Sequence, residues 1–316
     1  MMRRLSAAHE RLPLHTPFRI SRGVKTAADV VVATIAEGTR IGRGEAVPYA
    51  RYGESVESVL AQIAGVAGAI DAGADRDALQ DLLPPGAARN AIDCALWDLA
   101  GAPPAPAKVA SAITVVLDTA QAMHAAARAH AHVPLLKVKV DATDPAAQIA
   151  AVRAAAPSPA LIVDPNEGWS LDLLSHMRDV LVEQRVALIE QPLPATDDAA
   201  LAGFDAGVPL CADESVHVAG DLDRVVGRYA VVNVKLDKAG GLTAALGLVA
   251  AARARGLGVM TGCMVASSLG IAPALRIAGL SDFVDLDGPL WLAQDRAGGV
   301  RDEGGWLRAP DRGFWG

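Results

Sequence analysis

Three acidic residues, Asp164, Glu190 and Asp213, each end a short apolar run: LIVD, ALIE and LCAD. A lone carboxylate in such a position is strongly desolvated and therefore disfavoured. Three of them meeting at one point repel one another unless a cation sits between them. Oxygen-only ligands suit a hard divalent ion, and three carboxylates with open positions left over suit Mg²⁺, one ion per subunit. Any one of these acids could instead cap a helix or serve an ion pair. It is their recurrence in register that favours a shared metal.

Lysines flank the trio. In LLKVKVD (135–141) a single residue separates Lys137 from Lys139, so on a strand both ammonium groups emerge on the same side. Lys235 ends VVNVKL (231–236 with its following Leu) in a similar setting. A lysine used as a base must have its pKa brought from about 10.4 towards 7–8. A neighbouring positive charge does this, and Lys137 beside Lys139, with a metal close by, is expected to supply it. Two bases facing each other across a metal-bound substrate point to a 1,1-proton transfer, in which one removes a proton and the other returns it on the opposite face. The plainer alternative is that Lys137 and Lys139 pair with the carboxylates while Lys235 snorkels outward.

Such residues need a scaffold that gathers distant positions. From residue 111 the chain becomes rhythmic, with β-like runs at SAITVVL (111–117), LLKVKV (135–140), ALIVD (160–164), VALIEQ (186–191), VPLCAD (208–213), VVNVKL (231–236), LGVMTG (257–262) and FVDLD (283–287). Alanine-rich helical stretches such as AAQIAAVRAAA separate nearly all of them. Eight strands alternating with helices predict a parallel sheet, and eight is the number that closes a (β/α)8 TIM-type barrel. Lys139, Asp164, Glu190, Asp213, Lys235 and Asp287 fall at the C-terminal ends of these runs, at steps of 22 to 26 residues with one double step. In barrels that end carries the active site, so the recurrence puts all six around one mouth. A doubly wound open sheet is the rival, but it would show fewer strands and a Gly-rich phosphate loop that this sequence lacks.

The first hundred residues have another texture. ADVVVATI (28–35) reads as a strand, RGEAVPYARYG (43–53) as a loop, and ESVESVLAQIAGVAGAI and GAARNAIDCALWDLAG (86–101) as helices. This predicts a small α+β domain over residues 1–105, bounded by the proline-rich APPAPAK (102–108) and followed by the barrel over 106–290.

Bulk properties narrow the partners. With 29 Lys+Arg against 36 Asp+Glu the net charge is −7, and no basic run breaks the balance, which argues against nucleic acid and anionic membrane. Although 52% of residues are hydrophobic, no apolar stretch approaches a membrane span. His9, Glu10 and Arg11 sit where a signal peptide over Met1–Leu14 needs its apolar core. Three scattered cysteines, Cys94, Cys211 and Cys263, form no CxxC pair and fit a reducing cytoplasm. A small molecule is the expected partner, and a homo-oligomer is left open.

Taken together, Lys137-x-Lys139, Asp164-x-Asn166, Glu190-Gln-Pro, Ala-Asp213-Glu-Ser and Asn233-x-Lys235 resemble the muconate lactonizing enzyme subgroup of the enolase superfamily. The resemblance covers essentially the whole chain. It implies an α+β capping domain on a modified barrel, with a final segment, 291–316, that returns to the cap. It also implies Lys139 and Lys235 as catalytic bases, Asp164, Glu190 and Asp213 as the Mg²⁺ ligands, and Asn166, Asn233 and Glu214 as residues supporting them. The superfamily's lysine base with Mg²⁺ stabilises an enediolate.

Within the subgroup, FVDLDGPL (283–290) is similar to the DxD with which dipeptide epimerases hold the free N-terminus of their substrate. Asp285 and Asp287 would then grip an ammonium group, although Asp287 could simply cap the Gly288-Pro289 turn. PFRISRG (17–23) and PYARYGES (48–55) resemble the two capping-domain loops of L-Ala-D/L-Glu epimerases. The resemblance gives Arg22 the substrate's side-chain carboxylate, with Arg19 a competitor, and places Thr114 and Cys263 in the substrate pocket and Lys137 near the reacting carboxylate. The implied activity is Mg²⁺-dependent epimerisation of L-Ala-D/L-Glu dipeptides from cell-wall peptide, an isomerase reaction. The alternatives are an N-acylamino acid racemase or o-succinylbenzoate synthase, and, from another class, a barrel that has lost catalysis and serves as a binding protein.

Overall fold

The structure is a computed structural model that describes residues 3–316. The chain opens with an antiparallel sheet of β1 (Arg3–Ile20), β2 (Gly23–Glu37) and β3 (Arg40–Ala46), followed by helices α1 (Val56–Asp71), α2 (Arg76–Leu82) and α3 (Ala87–Ala100). α1 and α3 pack on one face of the sheet around Val31, Ala33, Ile35, Val59, Ile63 and Ile92. Ser55 opens α1 with a capping box, its hydroxyl accepting from Ser58 N.

The segment after Met2 is the long strand β1, paired with β2 from Arg3↔Glu37 to Ile20↔Gly23; the first two residues lie outside the described part. β1 is an edge strand with one face in solvent, so it accepts charged residues and Pro13 and Pro17, which obscure any strand pattern in the sequence. The start of RGEAVPYARYG is likewise strand rather than loop. Gly42 and Gly44 of β3 read as turn residues, but α3 crosses so close above them that a side chain would meet the helix backbone.

After β4 (Lys108–Ala110) come eight parallel strands: β5 (Ile113–Val115), β6 (Leu135–Lys139), β7 (Ala160–Asp164), β8 (Val186–Glu190), β9 (Leu210–Ala212), β10 (Val231–Val234), β11 (Gly258–Gly262) and β12 (Phe283–Asp285). Their order in the sheet follows the chain without reversal, which excludes the doubly wound arrangement. Ala112 N donates to Val284 O (2.8 Å) and Leu286 N to Ser111 Oγ (2.9 Å), bringing the last strand round to the first. Helices α4 (Ala120–Ala129), α5 (Pro145–Ala155), α6 (Leu171–Glu183), α7 (Leu222–Val225), α8 (Leu236–Ala239), α9 (Leu242–Ala254) and α10 (Ser268–Ala278) lie in the connections. The barrel is a modified one: β8 is followed only by a 3-10 turn at Asp198–Leu201. Two short strands, β13 (Arg301–Asp302) and β14 (Trp306–Arg308), form a small sheet with β4, and the chain end reaches the N-terminal domain, where Trp315 Nε1 donates to Arg43 O (2.8 Å).

Side-chain alternation layers the barrel interior. Ala112, Leu135, Ile162, Leu188, Cys211, Val231 and Met260 form an apolar plug. Further along each strand the inward positions turn polar, which seats the functional groups on a dry floor. Where sheet and barrel meet, the buried Glu45 accepts from Ser267 N (2.7 Å) and Arg296 Nη2 (2.8 Å), and Arg296 also reaches Glu10 (2.8 Å). Replacing Arg296 by Ala leaves the Glu45 charge without its cation, so unfolding stability should drop by on the order of 3 kcal/mol. A melting temperature lowered by less than about a degree would show that Ser267 alone satisfies Glu45.

Candidate active site

The C-terminal ends of the strands open into a cavity of about 260 Å³, roofed by the β1–β2 turn and the loop after β3. Barrel residues Thr114, Lys137, Lys139, Asn166, Asp213, Glu214, Lys235, Cys263, Asp285 and Asp287 line it, with Phe18, Ile20, Arg22, Lys25, Tyr49 and Tyr52 from the cap. Arg19 is not among the lining residues and lies over Leu117, Asp118 and Asp141 instead.

Asp164, Glu190 and Asp213 sit at the ends of the adjacent strands β7, β8 and β9, each no more than 1% exposed. Lys139 opposes Asp164 in the β6–β7 register and donates to it (2.5 Å). Lys137 lies among acids, with Nζ 2.7 Å from Glu190, 2.7 Å from Asp285 and 3.2 Å from Asp164. Across the ring, Lys235 donates to Asp213 (2.6 Å). β6 and β10 are four strands apart in eight, so Lys139 and Lys235 face each other.

Charge and burial oppose one another here. Burial alone would raise Asp164, but Lys139 and Lys137 outweigh it and hold the carboxyl at about 2. Burial would raise Asp213 too, yet Lys235 and Lys238 drive it well below the usual carboxylate range. Glu190 is raised, first by burial and then by Asp164. Burial lowers Lys137, but Asp285, Glu190 and Asp164 together hold it well above an ordinary lysine. Lys235 follows the same pattern, with burial outweighed by Asp213 and Glu190. The expectation of a neutral base is therefore not met at Lys235 while Asp213 is its counter-ion.

These acids fit a hard cation by their chemistry: three fully buried carboxylates on neighbouring strands, oxygen donors only, and no countercharge except lysine. Asn166 Oδ1 and Asp285 Oδ1 are buried beside them without a hydrogen-bond partner. Among the described residues no three acidic side chains are arranged as a ready metal-binding group: Asp164, Glu190 and Asp285 surround the Lys137 ammonium instead, and Asp213 is turned towards Lys235.

The supporting residues fall behind the trio. Asn233 Nδ2 donates to Glu190 Oε1 (2.7 Å), and Asn166 N donates to Asp164 Oδ1 (2.8 Å). Glu214 is pushed up to about 7 by burial and by Asp213, and pairs with Arg22 (2.7 Å). Arg22 also meets Glu167 (3.2 Å) and Asn166 O (2.9 Å), so the guanidinium that resemblance assigns to substrate is already engaged by two acids. Asp287 accepts from Thr114 N (2.8 Å) and Trp291 Nε1 (3.2 Å) and is raised to about 6, by burial first and Asp285 second. Cys263 lines the wall, its thiol pushed up by burial.

Sequence reasoning missed three contributors. Lys238 is 2% exposed and donates to Asp213 Oδ1 (2.6 Å) and Asn233 O (3.0 Å); its spacing of three after Lys235 in KLDKAGG was the available signal. Gln191 accepts from Asp213 N (2.9 Å) and donates to Ser215 Oγ (2.8 Å), fixing the Asp213 loop. Glu167, at φ +65°, takes both Arg22 and Arg51 (2.8 Å), and no local pattern announces it.

An eight-stranded parallel barrel under an antiparallel cap, with acids on three consecutive strands between opposed lysines, defines an enolase-superfamily enzyme. The chain belongs to that superfamily: residues 2–104 match the mandelate racemase / muconate lactonizing enzyme N-terminal domain, and residues 118–314 the enolase C-terminal domain-like family. It is 46% identical over 307 residues to the L-Ala-D/L-Glu epimerase of Escherichia coli, covering 93% of this chain and 96% of that one. It is 43% identical over 279 residues to an N-acetyl-D-glutamate racemase of a Pseudoalteromonas species, covering 84% and 89%. A crystal structure of an Agrobacterium tumefaciens enolase family member with homology to dipeptide epimerases, holding sodium and L-Ala-L-Glu, superposes with a TM-score of 0.97 at 45% identity, over 99% of this chain and 100% of that one. The relatives are epimerases and racemases, and the chain is an enzyme of the isomerase class. Among the described residues no helix is long and apolar enough to cross a membrane.

Proposed function

We propose that this enzyme epimerises the second residue of L-Ala-D/L-Glu-type dipeptides by a two-base 1,1-proton transfer, in the cytoplasm and in the metabolism of cell-wall peptide. The observation that carries the reading is a single cavity with Lys139 and Lys235 on opposite walls and the Asp285–Asp287 pair on a third. Asp164, Glu190 and Asp213 would hold Mg²⁺, which when bound offsets the negative charge that develops on the substrate carboxylate as the α-proton leaves. Lys139 and Lys235 are each held now by one of these acids, so an acid engaged elsewhere frees its lysine to act as a base.

Lys137, kept charged by its acidic neighbours, faces the same carboxylate and makes the α-proton more acidic. Lys139 takes or returns that proton on one face and Lys235 on the other. Asp285 and Asp287 receive the alanine ammonium, and Arg22, exchanging out of its contact with Glu214 or Glu167, receives the second side chain's carboxylate. Thr114 and Cys263 shape the walls, while Asn166, Asn233 and Glu214 orient the acids. Residues 1–105 act as the cap, 106–290 as the barrel, and 291–316 as the segment tying the barrel to the cap.

The deciding experiment is incubation with L-Ala-L-Glu in D₂O with Mg²⁺, followed by NMR. Deuterium should enter the glutamyl α-position as the D-isomer forms; no exchange from either isomer would refute the reading. Chelation should abolish turnover, and Mg²⁺ should restore it.

A second reading, racemisation of an N-acyl amino acid, is favoured by one observation. One oxygen of each carboxylate is already engaged from within the protein, Asp285 Oδ2 by Lys137 and Asp287 Oδ2 by Thr114 and Trp291.

A further inference from the structure

Lys235 is the last residue before α8, and its side chain leaves the strand where the backbone turns, so its aim depends on the segment that follows. That segment is gripped by the cap. Asp237 Oδ1 accepts from Val47 N (3.0 Å), just past β3, and from Asn90 Nδ2 (2.8 Å) on α3. Arg89, one position earlier on the same helix and 6% exposed, donates to Ala239 O (2.8 Å) and Gly240 O (3.1 Å). One turn further along α3 Asp93 accepts from Thr243 N (2.9 Å), and at the next turn Trp97 Nε1 donates to Thr243 Oγ1 (2.9 Å).

The Gly240-Gly241 pair is fitted to this contact. Both residues have positive φ, +79° and +111°, and a Cβ would run into the Arg89 guanidinium at the first and lie 2.5 Å from Asp93 at the second. Side chains would therefore both strain the turn and push the helix away.

From this we infer that cap helix α3 is a positioning device for Lys235, with Asn90 and Arg89 acting on it through Asp237 and the Ala239–Gly240 carbonyls. The base on one face of the substrate is thereby set by the cap, while Lys139 lies within the regular strand β6 and pairs with Asp164 of the neighbouring barrel strand. This rests on the two-base reading given above. A displacement of about 1 Å at a reacting group can cost on the order of 100-fold in rate, so a small loosening of this turn is measurable.

The test follows α-proton exchange in D₂O separately from each isomer of Ala-Glu, with Lys235→Ala defining which isomer depends on Lys235. Asp237→Ala, and independently Asn90→Ala, should slow exchange from that isomer by about 10-fold or more and leave exchange from the other within about 2-fold. Asp237→Asn should restore both, because both donors reach the one oxygen, Oδ1, that asparagine retains. Equal loss from both isomers, or no loss in either alanine variant, would overturn the inference while leaving the two-base reading intact. Wild-type enzyme that exchanges neither isomer removes the reading and the inference with it.

Discussion

Replacing Lys235 by Ala is expected to reduce epimerisation by roughly 10²- to 10⁴-fold, the range over which a positioned general base contributes. Exchange should survive from one isomer only. Lys139 remains on the opposite wall beside Asp164, so once that acid is engaged elsewhere it can still remove a proton from the isomer presented to it. The proton cannot be redelivered on the other face, so the isomer washes deuterium in with retention. Lys139→Ala should give the mirror result. Fold loss is an unsuitable explanation for either outcome, because Asp213 keeps Lys238 as a cation when Lys235 is removed, and Asp164 keeps Lys137. Full epimerase activity in Lys235→Ala would refute the two-base assignment, and equal loss of exchange from both isomers would mean that the lysine serves the site as a charge rather than as a base.

The barrel and its polar ring were legible because they repeat. Asp164, Glu190 and Asp213 each follow an apolar strand, so a period and an end position were enough to place them around one mouth. Register did the same for Lys137 and Lys139, which face the interior as strand alternation requires. What stayed hidden depends on contacts between distant segments. β1 lacks a strand pattern because it is stabilised by pairing with β2 and leaves a face in solvent. Glu167 and Arg22 meet across 145 positions of sequence, and neither residue type says which of several acids a loop arginine will choose. The electrostatics of the lysine pair also differ from the simple expectation. Lys137 was expected to act on Lys139 by repulsion, yet its surroundings are dominated by Asp285, Glu190 and Asp164, so attraction to acids outweighs burial in setting its state. A period in the sequence places a charge; the counter-ion that decides its protonation comes from the fold.

Replacing both Asp285 and Asp287 by Asn separates the dipeptide reading from the N-acyl one. Removing buried charges that pair with a ligand's ammonium costs about 2–4 kcal/mol, or roughly 30- to 1000-fold in kcat/KM for L-Ala-D-Glu. An N-acylated glutamate carries no ammonium, so its turnover should change by less than about 3-fold if it is a substrate at all. The pH dependence offers an independent check in the unaltered enzyme. Asp287 is raised to about 6 by burial and by Asp285. Below that value it is protonated and a poor partner for a cation, so the dipeptide KM should rise as pH falls through about 6 and level off above it. Binding of the ammonium favours the ionised form, so the same limb should move to lower pH in the substrate complex. A dipeptide KM that is flat from about pH 5 to 8, together with little effect of the double substitution, would assign these carboxylates to Lys137, Thr114 and Trp291 alone. The racemase reading would then be the better one.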